Sequence, residues 1–132
     1  MAQRITIIRL RQPPSHEVNA RLQWLGTSLG LFGDRDKDRS CFRLFVEILN
    51  SSRRNEGLTS DELAYRLRLS RATVIHHLHK LLDSGIVVHE QSRYLLRDRR
   101  LQDVLGDMQR DAERLYADLR AVAAEIDQRL GL

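Results

Sequence analysis

Leu58-Thr-Ser-Asp-Glu-Leu-Ala-Tyr-Arg-Leu67, then Arg68-Leu-Ser70, then Arg71-Ala-Thr-Val-Ile-His-His-Leu-His-Lys-Leu-Leu-Asp-Ser-Gly85, then Ile86-Val-Val-His89 and an Arg-bearing segment to Arg97 form the stretch whose reading decides the fold. Thr59 stands where a helix N-cap belongs, and Glu62 follows three residues later, so each side chain can satisfy the other's backbone N–H. Leu58 before the cap can pack on Leu63 as a hydrophobic staple. The spacing predicts a helix to about Leu67. Ser70 caps a second helix, and Leu69 with Val74 repeats the staple spacing. That helix ends at Ser84-Gly85, where glycine supplies the left-handed conformation that closes a helix. Ile86 to His89 and Tyr94 to Arg97 read as two short strands around Glu90-Gln-Ser-Arg93.

Two capped helices at a tight turn followed by a β-wing is an order that places the second helix in the major groove of DNA. Within residues 71–84, Val74, Leu78 and Leu81, flanked by Ile75 and Leu82, make one apolar face. Thr73, His76 and Lys80 point the other way at 100° per residue. Arg71 at the helix start suits a phosphate or a guanine edge, Thr73 a base, and Lys80 a phosphate. Arg93, expected at the tip of the wing (residues 86–97), suits a backbone phosphate or a narrow minor groove. The expected DNA-binding set is Thr59, Ser70, Arg71, Ala72, Thr73, His76, His77, Lys80 and Arg93. His77 lies at the margin of the apolar face, where it also reads as a packing or orienting residue. His76 and His79 are three apart and could share a metal, but no Cys or further His lies nearby in sequence. They read as groove or phosphate donors, and neither a metal nor a cofactor is expected.

Charge supports this placement. The chain of 132 residues carries a net charge of +4. From Arg53 to Arg100 there are ten Lys and Arg against six Asp and Glu, and from Leu101 to Leu132 four against seven. The cationic excess sits on the motif, which permits contact with a polyanion without proving it. The single cysteine, Cys41, excludes an internal disulfide and reads as a packed thiol beside Phe42, Leu44 and Phe45. No signal peptide is visible and no apolar run reaches the ~20 residues of a membrane span, so a cytoplasmic protein is expected. A Gly-rich phosphate loop, a nucleophile elbow and a zinc-protease His pair are all missing, and an enzyme is not expected.

Upstream of the motif, Arg4 to Arg11 alternate loosely around Ile5, Ile7, Ile8 and Leu10 and end at Pro13-Pro14, predicting a short basic edge strand. Ser15 can cap a helix from His16 to about Leu29, with Val18, Leu22, Leu25 and Leu29 on one face. Gly30-Leu-Phe-Gly33 breaks it. Asp34 or Asp36 can cap the next helix, which turns Phe42, Phe45, Ile48 and Leu49 inward. The Asp34 to Arg39 charge run reads as a solvated helix start, and Asn50 to Gly57 as a loop.

Downstream, a helix is predicted from about Arg99 to Leu130. Leu101, Leu105, Met108, Ala112, Leu115, Leu119, Val122 and Ile126 follow spacings of four and three throughout, which is a heptad seam. A small core can cover only its first turns, so the rest is expected to pair with a second copy, in a direction that the mixed flanking charges do not set.

Leu69-Ser70, Thr73-Val74, His77-Leu78, Leu81-Leu82 and Gly85-Ile86-Val87 resemble the ArsR-type winged helix-turn-helix pattern of prokaryotic repressors. MarR-type regulators are similar but less close. The resemblance covers about forty residues and implies a homodimeric, sequence-specific double-stranded DNA-binding transcription regulator, with repression the expected mode. Metal-sensing members carry paired cysteines in the first helix of the motif, which Leu63-Ala-Tyr-Arg-Leu67 lacks, or Asp/His ligands on the last helix, which here has no His. Ile75 stands where the family usually has Ser. The fold expected is mostly α with a small β-wing: an N-terminal strand or arm (residues 1–14), a winged helix-turn-helix domain (15–98), and a long coiled-coil-like dimerisation helix (99–132). The alternative is a winged helix serving as a protein-interaction module, which would not need cations at Arg71, Lys80 and Arg93.

Overall fold

A computed structural model describes residues 2–33 and 39–132. Its elements run α1 (Val18–Ser28), α2 (Ser40–Ser52), α3 (Ser60–Leu67), α4 (Arg71–Ser84), β1 (Val87–Glu90), β2 (Arg93–Leu96) and α5 (Leu101–Leu130). The architecture is mostly helical, with a two-stranded antiparallel wing and a long C-terminal helix, as a winged helix-turn-helix requires.

The core forms where α2, α3, α4 and the wing meet. Leu44, Phe45 and Ile48 of α2, Leu63 of α3, and Val74, Leu78 and Leu81 of α4 have no exposed surface. α2 runs three residues further than expected, to Ser52, because its last turn is held from outside. The Ser52 hydroxyl accepts from the Leu96 N–H at 2.9 Å, tying α2 to β2. Phe32 packs edge-on against Phe42 (centroids 5.5 Å apart) and tilted against Phe45 (6.0 Å). Gly26 leaves room for this ring, since a Cβ there would fall 1.9 Å from Phe32 Cε2.

The start of α2 follows an arrangement of its own. Arg39, in the N-cap position, is left-handed (φ 57°) and gives no side-chain cap. Its guanidinium lies 4.4 Å from the Phe42 ring centroid. The expected caps Asp34 and Asp36, and the charge run to which they belong, lie outside the described residues apart from Arg39. In α1, Ser15 accepts from the Glu17 N–H at 3.2 Å and so organises the chain just before the helix rather than capping it. α1 therefore begins at Val18, and Val18 itself is largely exposed while Leu22 and Leu29 are buried.

The wing pairs one residue nearer its turn than expected. Glu90 lies opposite Arg93, and Gln91 and Ser92 both take positive φ (51° and 66°), the two-residue turn whose twist matches paired strands. His89 stacks on its cross-strand neighbour Tyr94, centroids 4.3 Å apart. Leu58 exchanges both backbone bonds with Tyr94 (3.1 and 2.7 Å), so the residue before α3 is fastened to the sheet.

The predicted strand at Arg4–Arg11 does not form. This arm is extended but meets no ladder. Its backbone donors go singly to helix-end carbonyls, Arg4 N–H to Asp83 C=O (2.8 Å) and Ile8 N–H to Ser28 C=O (2.7 Å). The Trp24 indole N–H holds it again by donating to Leu10 C=O (3.2 Å). Such isolated bonds use the carbonyls that helices leave unpaired at their C-termini.

α5 is about 45 Å long at ~1.5 Å per residue. Only its first turns meet the domain. Val104 and Met108 are buried, Leu101 and Leu105 pack at the core's edge, and every residue from Glu113 onward is exposed. Asp111 closes the junction. Its carboxylate accepts from the Arg97 guanidinium at the exit of the wing, from Gln3 Nε2 of the arm (2.9 Å), and from Arg114 Nη2 (2.6 Å). Hydrogen bonds from Arg97 and then Gln3 outweigh the burial that opposes ionisation, and the Arg97 and Arg114 charges add to them, so the Asp111 carboxyl titrates far below the usual carboxylate range.

A carboxyl whose folded pKa is depressed stabilises the fold above its ordinary pKa, and that contribution is lost as pH falls toward the folded value. Asp111→Asn is therefore expected to lower stability at neutral pH and to flatten the acid limb below about pH 4. Urea denaturation from neutral pH to pH 2.5 measures both effects, and an unchanged acid limb would remove Asp111 as its cause.

Candidate nucleic-acid interface

The position of α4 is set from both ends and from its buried side. At its start, Ser70 accepts from the Thr73 N–H at 3.1 Å and donates to Thr73 Oγ1 at 2.8 Å. At its end Gly85 is left-handed (φ 87°) and returns its N–H to Leu82 C=O at 3.0 Å. The turn before α4 is equally defined. Arg68 takes φ 55°, the Leu69 N–H reaches back to Ala64 C=O at 3.0 Å, and Arg43 Nη2 donates to the Leu67 carbonyl at 2.6 Å. Helix-end carbonyls are thus satisfied through a tight connection that brings α3 and α4 into contact.

With Val74, Leu78 and Leu81 inside, Ala72, His76 and Lys80 stand exposed on the opposite side, and Thr73 is half-buried at its edge. These are the expected residues that the structure gathers on one face, while Arg71, seven residues before Leu78, lies nearer the buried stripe and is exposed because it stands at the helix start. Arg71 reaches Asp61 only at 3.9 Å, with both side chains over 70% exposed (75% and 79%). A solvated pair of this kind is worth little and releases its arginine readily.

The other expected residues sit elsewhere. His77 is corrected from a groove contact to a core residue, buried with a ring nitrogen 2.7 Å from Ser40 Oγ. It follows the apolar side because it lies three residues after Val74 and four before Leu81, both buried, at the edge of the same stripe. Thr59 is half-buried in its capping box, accepting from the Glu62 N–H and donating to Glu62 Oε1, both at 3.1 Å. Ser70 is exposed, with its hydroxyl engaged by Thr73. Arg93 is not at the wing tip, which Gln91 and Ser92 form. Its Nη1 donates back to Gly57 C=O (2.7 Å) and Glu62 Oε1 (3.2 Å). Glu62 is slightly desolvated, which alone would raise its pKa. The Thr59 hydrogen bonds and the charges of Arg93 and Arg66 overcome this and hold it below the usual range.

Three further exposed side chains belong to the same region. His79 lies beside His76 and Lys80 on the outside of α4. Tyr65 on α3 is 87% exposed, and Arg68 is exposed in the turn. Helical spacing could have found Tyr65, because it lies about 200° around α3 from the buried Leu63. Among the described residues, no group of three or more His, Cys, Asp or Glu is arranged to hold a metal ion, and no helix is long and apolar enough to cross a membrane.

Residues 38–90 match the family model of a helix-turn-helix domain. The match spans α2 through β1, less than half of the chain, and supports a DNA-binding helix-turn-helix regulator. No curated protein and no solved structure gives a significant match.

Ser70→Ala is expected to cost about 1 kcal/mol of stability through the lost cap. It also frees the start of α4, so amide exchange should rise at Thr73 more than at Leu81. Uniform exchange along α4 would contradict this account of the cap.

Proposed function

We propose that this chain is a homodimeric transcription regulator of the ArsR-like type, acting in a prokaryotic cytoplasm as a repressor that binds double-stranded DNA sequence-specifically. The single observation carrying the reading is the division of α4 into two faces. One is consumed by the core, and the other presents Thr73, His76 and Lys80, with Arg71 exposed at the N-terminal end of the helix.

In this reading α4 enters the major groove by its N-terminal half. Arg71 has the fork geometry for guanine O6 and N7, or for a phosphate at the groove edge. Thr73 Oγ1 accepts from Ser70, so its own proton is left to donate toward a base or phosphate. His76 and His79 extend the donor surface, and Lys80 supplies a point charge further along the helix. The wing lays Gln91 and Ser92 on the backbone or minor groove. Arg93 reaches DNA only by leaving Gly57 and Glu62, so it serves first as a brace between wing and α3.

Dimerisation through α5, along the seam from Leu101 to Ile126, would relate two such faces by a two-fold axis. Half-sites would then lie about one helical turn, ~34 Å, apart. Linking two modest surfaces raises affinity through effective concentration.

Arg71→Ala is expected to cost about 1–3 kcal/mol at the preferred site and to relax preference at one base position. Lys80→Ala should weaken all duplexes alike and lower the slope of log K against log salt by about 1. Fluorescence anisotropy with labelled duplexes at several salt concentrations measures both. Undiminished binding by the Arg71→Glu, Lys80→Glu double variant would overturn the reading in favour of a different surface or partner.

A further inference from the structure

The N-terminal arm is seated on the domain, but its cations are not spent there. Its backbone is fixed at Arg4 and Ile8, which donate to Asp83 C=O at the end of α4 and to Ser28 C=O at the end of α1. An extended chain turns alternate side chains to opposite sides. Ile5 and Ile7 accordingly share an apolar groove with Leu29, Leu105 and Met108. Arg4 and Thr6 line a different cleft, of about 230 Å³, whose other wall carries Lys80 of α4. The arm lies tight on the α1 side of this cleft, where a Cβ on Gly30 would fall 2.9 Å from Thr6 Cγ2. Arg4 and Lys80 are both exposed, and among the described residues neither makes an ion pair. Asp83, the one acidic residue lining the cleft, pairs with neither of them.

We propose that Arg4 and Lys80 hold one phosphate of the DNA backbone between them, so that the arm forms part of the interface beside the groove that α4 enters. The inference rests on the DNA-binding reading above and adds a second segment of chain to it.

Lys80 belongs both to the cleft and to the outer side of α4. It lies one turn beyond His76 and about 40° around the helix from it, toward the arm. A duplex resting on that outer side therefore carries its own phosphates past the mouth of the cleft, and the second contact is made at high effective concentration. Size agrees, because the cleft is smaller than the ~300–1,000 Å³ of sites that enclose a drug-sized ligand. Chemistry agrees as well. Arg4 offers a planar fork of donors and Lys80 a point charge, both suited to phosphate oxygens. The rival role for Arg4 is purely internal, a cation near the negative end of the α4 dipole. That role would act on stability and leave DNA affinity alone.

The test is fluorescence anisotropy of the full chain on labelled duplexes over a range of salt. Arg4→Gln keeps the backbone bond to Asp83 and is expected to lower the slope of log K against log salt by about 1, on preferred and unrelated duplexes alike. Arg4→Lys, which keeps the charge, should preserve the slope. The Arg4→Gln, Lys80→Ala double variant should lose no more slope than either single variant, because both cations serve the same phosphate. Ethylation interference reads the contact independently: a backbone phosphate whose ethylation blocks the unmodified protein should no longer matter to Arg4→Gln. An unchanged slope in Arg4→Gln, while Arg71→Ala still weakens binding, would overturn the shared phosphate and leave the DNA reading in place. Losses that add to about 2 in the double variant, or a fall in urea stability of Arg4→Gln with no change in slope, would overturn it equally. An unmodified protein that binds no duplex at low salt would overturn the DNA reading, and this inference with it.

Discussion

The side of α4 that the core consumes is the constraint on which the rest of the structure depends. Val74, Leu78 and Leu81 are fully buried among residues of α2, α3 and the strand that follows. Turning the helix enough to bring one of its leucines into water would forfeit roughly 1.5–3 kcal/mol of burial. It would also break the hydrogen bond between His77 and Ser40, a buried contact that is expensive to leave unmade. Rotation about the helix axis is thereby fixed. The direction of Arg71, His76 and Lys80 follows from helical geometry alone and needs no interaction of their own. For this reason they can be nearly free of internal partners and still be held at defined angles.

A second constraint connects that face to the rest of the chain. Asp111 joins three segments remote in sequence, the arm through Gln3, the wing exit through Arg97, and α5 itself. Gln3 also approaches Ser84 C=O at the end of α4 (3.5 Å), and Arg4 bonds to Asp83 there. The C-terminal end of α4 and the first turns of α5 are therefore braced by one carboxylate and the segment it anchors. A pair of α5 helices would carry this brace in each copy and hand the spacing of two α4 helices from one rigid junction to the other.

The parts of this fold written in local chemistry were legible in the sequence. Thr59 with Glu62, Ser70 and Gly85 act through residues within four positions of themselves, and all three ends form as their residue types dictate. The buried side of α4 followed from spacing. What escaped depended on groups far away in the chain. Ile5, Ile7 and Ile8 carry a strand-like pattern, but the arm has no strand to pair with and spends its donors on Asp83 and Ser28. Arg93 looked like a free cation because nothing near it in sequence announces Gly57 and Glu62 as its partners. His77 sat on the boundary between two faces, and only Ser40, thirty-seven residues away, decides its side. The heptad pattern of α5 was visible throughout. That its first turns bury Val104, a residue off the seam, was not, because a repeat does not say which of its turns belong to the chain's own core.

The claim at the centre is that the outward side of α4 reads a DNA sequence. Selection of bound fragments from a random duplex pool by the full-length protein, carried out at low and at physiological salt, examines it most directly. The account predicts enrichment of an inverted repeat whose half-sites are centred about ten base pairs apart, with affinity falling steeply as salt rises. Recovery of an unenriched pool at both salt concentrations, or no recovery of DNA even in dilute buffer, would contradict it.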